Sequence, residues 1–157
     1  MCLYIKSTVI PTEPIKVIKE IWPYWCNSCN KVIYASPFYS KHTWQVGLNR
    51  SDRVVFGRDY FNKLTHREIS NGIVELGIHF YLANSWPADN VRKRSEFYDV
   101  AIIEAEIKPE EFLCYGNNND VVCSEVNIAE LPKAKKVEEL RNKDYWTCPS
   151  CNFKKAF

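Results

Sequence analysis

YWCNSCNKV, residues 24–32, sets Cys26 and Cys29 two residues apart and follows them with Asn30. One such pair supplies two thiolates, and a structural zinc ion takes four ligands. The complement stands at residues 145–153, YWTCPSCNF, where Cys148 and Cys151 repeat the spacing. Each pair follows Tyr-Trp, and each is followed by an asparagine, Asn30 and Asn152. The asparagine has a physical reason. In a zinc knuckle the chain turns sharply so that backbone N–H groups face the thiolates, and the residue after the second cysteine needs positive φ. Glycine fits there best, and asparagine is the usual substitute. Cys26, Cys29, Cys148 and Cys151 therefore read as one tetrahedral Cys₄ zinc site, structural because no coordination position is left for substrate. The rival readings are four unrelated buried cysteines and a thioredoxin-like redox pair. A redox pair should open a helix after a strand, whereas NKVIY, residues 30–34, reads as strand.

Between Cys29 and Cys148 lie 118 residues, far beyond the ~15–20 of a compact ribbon. The zinc would thus clip an early strand to the C-terminal tail, closing a loop long enough to remove much chain entropy. The expected organisation is one domain over 1–157. Residues 22–34 and 144–157 would form a split zinc-ribbon-like subdomain around an α+β core at 35–143.

The remaining composition fits a packed domain. Of the 157 residues, 46% are hydrophobic and 14% aromatic, enough for a core and against intrinsic disorder. No signal peptide opens the chain and no run approaches the 18 apolar residues of a membrane helix. The expectation is a soluble, cytoplasmic protein in a reducing compartment, where paired cysteines favour metal over disulfides. The net charge of +2 hides segments of opposite sign. Residues 38–67 carry six basic and two acidic side chains, residues 96–130 one basic and nine acidic, residues 133–157 seven basic and three acidic. Such a surface is either dipolar or simply solvated.

Strand patterns flank the first knuckle at 15–21 and 31–35, and a further apolar strand runs over 73–82, interrupted by Gly77. Ser85 caps a helix whose first turn holds Trp86 and Pro87. DVAIIEAEI alternates at Ala101, Ile103, Ala105 and Ile107, and VCSEVNIAEL at Val122, Val126 and Ile128, with GNNND at 116–120 as the turn before it. Pro132 opens a last helix over KAKKVEELRNK. The fold class expected is α+β: a mainly antiparallel sheet, two or three short helices, and two terminal knuckles brought together.

The succession SPF at 36–38, WQVG at 44–47, GIHFY at 77–81, a short helix, VAIIE at 100–104 and VNIAEL at 126–131 resembles a group of small phage-encoded proteins of unknown function. The resemblance spans roughly residues 31–131 and omits the knuckles. It implies a viral or mobile-element origin and a host-takeover or defence-evasion role, and it assigns no catalytic residue.

Within the core, Gly77-Ile78-His79 would suit a catalytic histidine where substrate approaches a glycine closely, or a satisfied histidine on a sheet. His42 and His66 lie in polar segments and are expected to be exposed. His79, Tyr81, Arg50 and Arg53 could together handle a phosphate-bearing substrate, as in ADP-ribose chemistry, though no glycine-rich phosphate loop accompanies them. Loss of Met1 would expose Cys2 as a nucleophile with its own amine as base. The opening Met-Cys is similar to that of class II amidotransferases and of the abasic-site-binding SRAP family, but both continue with Gly where Leu3 stands. Cys114 and Cys123 read as core residues.

HTWQVGLNRSDRVVFGRDYF interleaves aromatics with arginines. Trp44, Arg50, Arg53, Arg58 and Lys41 are the candidates for stacking on bases, holding phosphates or meeting a partner. The reading placed first is a zinc-stabilised binding or inhibitory module acting on a host or viral protein, for example as an anti-CRISPR-like inhibitor. A nucleic-acid-binding zinc-ribbon protein ranks second, and an ADP-ribose-type transferase using His79 third.

Overall fold

The structure, a computed structural model, describes residues 5–26, 28–36, 42–50, 77–97, 100–132 and 148. Nine strands and one α-helix occupy them: β1 (Ile5–Ser7), β2 (Ile15–Cys26), β3 (Lys31–Ala35), β4 (Gly47–Arg50), β5 (Ile78–Leu82), α1 (Trp86–Phe97), β6 (Ala101–Ile107), β7 (Phe112–Gly116), β8 (Asp120–Cys123) and β9 (Glu125–Ile128). All pairings are antiparallel. The main sheet runs β1-β7-β8-β5-β2-β3 with β6 also paired to β2, and β4 with β9 forms a separate two-stranded sheet.

The spine is β2. Its first seven residues pair with β6, from Ile15 opposite Ile107 to Ile21 opposite Ala101. Its last five pair with β3, from Trp22 opposite Ala35 to Cys26 opposite Lys31. The strand expected over 15–21 thus continues through IWPYWC to the first thiol. Among the described residues β2 pairs only with β3 over this stretch, and an unpaired edge tolerates the N–H that Pro23 lacks.

Strand parity sorts the side chains into two layers. Val17 and Ile21 of β2 join Ile78, Phe80, Ile103, Ile107, Phe112, Val121 and Cys123 in the main core, which Trp44, Val126 and Ile128 close from the β4–β9 side. On the opposite face Ile18 meets Ala88 and Val91 of α1, with Tyr81 and Ile102 beside them. Ser85 caps that helix as expected: its Oγ accepts from the Ala88 N–H at 3.3 Å.

Two expectations need correction. Two or three helices were expected, and the described residues hold one α-helix plus a single 3₁₀ turn at Pro109–Glu111. The chain from 101 to 128 is spent almost wholly on strands, because its apolar residues alternate or run continuously. The helix expected after Pro132 lies outside the described residues. Second, VCSEVNIAEL is two strands in different sheets. The chain bends at Ser124, whose N–H and hydroxyl both donate to the Glu111 carbonyl, at 2.9 and 3.3 Å. FLCYG adds a strand that no alternation announced, β7, in which Phe112, Leu113, Cys114 and Gly116 are all buried.

Candidate metal centre

The β2–β3 hairpin turns through residues 28–30, and its geometry is that of a thiolate knuckle. Asn30 has φ of 54°, as the sequence requires of it. Its N–H donates to the Cys26 carbonyl at 2.8 Å, and the Cys29 N–H points at Cys26 Sγ at 3.4 Å.

Cys148 comes to this turn from the far end of the chain. Its Sγ lies 3.8 Å from that of Cys29, and the sulfurs of Cys26, Cys29 and Cys148 all fall within 4.8 Å of one another. Cys26 and Cys148 are buried and Cys29 half-buried, and Trp22, Tyr24, Ile33 and Ala35 pack around them as a small core distinct from the main one. The Tyr34 hydroxyl donates to the Pro132 carbonyl, a second tie between hairpin and later chain. Such a cluster could hold a metal ion. The dimensions suit a thiophilic one: four Zn–S bonds of ~2.3 Å set tetrahedrally put neighbouring sulfurs about 3.8 Å apart. One sulfur pair stands at that spacing and all three lie within 4.8 Å, with no disulfide among them, which fits the group that the sequence implies. Cys151 and Asn152 lie outside the described residues.

No protein-family model, curated protein or solved structure matches this chain.

The other candidate residues are dispersed. Trp44 is 3% exposed; its ring is edge-on to Phe80 and His42 and its Nε1–H donates to Ser36 Oγ at 2.9 Å. It closes the core and is not on offer for stacking. Arg50 is exposed but engaged: its Nε and a terminal nitrogen both donate to Glu125 Oε2, at 3.1 and 2.8 Å. His79 and Tyr81 lie together on the α1 side of the sheet, and Arg50 belongs to the β4–β9 layer on the other side. The main sheet therefore lies between Arg50 and the pair His79 and Tyr81. Gly77 does have a close neighbour, but it is the protein itself: a Cβ there would meet Val122 Cγ1 at 2.4 Å and the Cys123 carbonyl at 3.0 Å. Lys41, Arg53, Arg58, His66 and Cys2 lie outside the described residues. Cys114 and Cys123 are buried, and burial pushes the Cys114 thiol up to about 12 and Cys123 higher still, which makes both inert.

His42, expected to be exposed, is half-buried with Nε2 3.2 Å from Asn49 Oδ1. The residue that holds it there, Asn49, was not anticipated. It is buried at 1% exposure, and its amide also bonds Gln45 and Gly47, so its polar cost is met. Lys19 was also missed. It shares the core face with Val17 and Ile21, and its Nζ donates to the His79 carbonyl at 2.8 Å above the Phe80 ring. The signal was present: in IKVIKEI every other odd position is apolar. No helix of the described residues is long and apolar enough to cross a membrane.

Proposed function

We propose that this chain is a zinc-stapled binding module that acts on a protein partner and uses no chemistry of its own. The observation that carries the reading is the convergence of Cys148 on Cys26 and Cys29. With Cys151 as the fourth ligand the site is closed, and closed thiolate sites serve structure. Soft thiolates select zinc over hard cations.

What the surface then offers a partner is charge. Glu104 and Glu106 stand exposed on β6, with Glu110 and Glu130 also exposed, and none of the four is in an ion pair among the described residues. Exposed carboxylates of this kind, Glu104 and Glu106 on one face of β6 with Lys16 opposite Glu106, suit a basic surface by giving orientation and a fast on-rate more than raw affinity. The resemblance to small phage-encoded proteins supports a host protein as the target and inhibition as the outcome.

Two measurements test this. Protein purified without chelator should contain one zinc per chain, and well under one would remove the staple. A tagged pull-down from bacterial lysate, run with and without nuclease, should retain a protein that survives nuclease and is lost on Glu104→Lys with Glu106→Lys. Capture that vanishes with nuclease would instead favour a nucleic-acid ligand for the arginines of 50–58.

A further inference from the structure

Solvent reaches the three thiols unequally. Cys26 and Cys148 are 0% exposed, whereas Cys29 is half-buried. Cys29 is also the thiol whose sulfur stands 3.8 Å from Cys148, across a sequence separation of 119 residues. Thiolates are the nucleophiles toward oxidants, and exposure decides which one is struck first. The remaining described cysteines do not compete, since Cys114 and Cys123 are sealed in the sheet and held as thiols. A disulfide requires a sulfur–sulfur distance of ~2.0 Å, and from 3.8 Å side-chain rotation at the half-exposed Cys29 supplies most of the approach.

We propose that Cys29 is a site of modification by peroxides and that the product is a Cys29–Cys148 disulfide, which takes over from the metal as the fastener of hairpin and tail. The proposal rests on the metal reading above for its starting state. In the first step the Cys29 thiolate attacks one peroxide oxygen, the O–O bond breaks, hydroxide leaves, and Cys29 becomes a sulfenic acid. The Cys148 thiolate then attacks the Cys29 sulfur, the S–S bond forms, and the S–O bond breaks with loss of a second hydroxide. Two solvent protons convert the hydroxides to water. Two thiolates have given up two electrons, and one peroxide has accepted them. Loss of two ligands releases the ion to solvent. The join between the distant segments persists in both states, metal-held or covalent.

The test begins with zinc content, then treats the full chain with hydrogen peroxide beside a chromophoric zinc chelator and maps the unreduced peptides by mass. Expected are release of one zinc per chain and a linked Cys29–Cys148 peptide pair. Dithiothreitol should reverse the link, and Cys29→Ser should abolish it. A product joining Cys26 to Cys29 or Cys148 to Cys151 would overturn the proposal, as would irreversible oxidation of Cys29 with no link. Protein that carries no zinc at the outset would fail the metal reading alone, and the peptide map would still decide the disulfide.

Discussion

Lys19 carries an ammonium group into the core face of the main sheet. Burial lowers its pKa from 10.5 to about 8, with Cys123 and Glu20 only partly offsetting the loss of water. Because the folded state holds this proton more weakly than the unfolded chain, the penalty is full below about pH 8 and is relieved as pH rises toward 10.5. Lys19→Met should therefore raise stability at pH 7 by roughly 1–3 kcal/mol. Cys114 works in the opposite sense, since its thiol ionises more readily unfolded, so the quantity to follow is the difference between wild type and variant. In urea titrations from pH 7 to 10.5 that difference should shrink; a constant difference would mean that Lys19 is already well solvated. Asn49 is the opposite case, a buried polar group fully engaged. Asn49→Ala strands the Gln45 and His42 groups that it bonds and should cost roughly 1–3 kcal/mol in the same titration. An unchanged midpoint would show that water replaces the amide.

At the scale of elements, packing between strands decides what the sequence can carry. Gly77 directly precedes β5 and faces Val122 and Cys123 of β8, so Gly77→Ala should destabilise by roughly 1–3 kcal/mol through the Val122 clash. A neutral urea midpoint would mean that β8 yields. The elements most legible in the sequence were those with an unambiguous period or cap: β3 at 31–35, β6 with its exposed Glu104 and Glu106, and α1 behind Ser85. Those misread had no period to read. β7 is buried on both faces, and the Ser124 bend depends on a hydrogen bond to Glu111, which lies 13 residues earlier in the chain. The knuckle turn was legible down to the conformation of Asn30, because its backbone demand is local. The gathering of Lys19, His79 and Phe80 was not, because it depends on which strands become neighbours.

Among the described residues β2 runs through two centres of cohesion, the thiol cluster with its aromatic wall and the sheet, whose two faces pack as the main core and the layer under α1. Metal binding free energy in such a protein is folding free energy for the part it organises. Removing the ion with a strong chelator should lower the thermal midpoint and speed amide exchange across residues 22–35. The amides of β6 and β8, whose packing uses none of these thiols, should stay protected. Uniform loss of protection would show that the two centres unfold as one. Three of the four cysteines read from the sequence come together at this scale, because doubled Cys-x-x-Cys spacing stays readable whatever fold intervenes. It could not carry a catalytic assembly, because none of the scattered histidines and arginines advertises a neighbour.

The span between the joined cysteines also imposes a schedule. Cys29 and Cys148 are separated by 119 residues, and translation adds about 5–20 residues per second. The early pair thus waits on the order of ten seconds before its counterpart exists. During that interval Cys26 and Cys29 lack the Cys148 thiol that meets them in the folded chain, and a competing ion or thiol has the first chance at them.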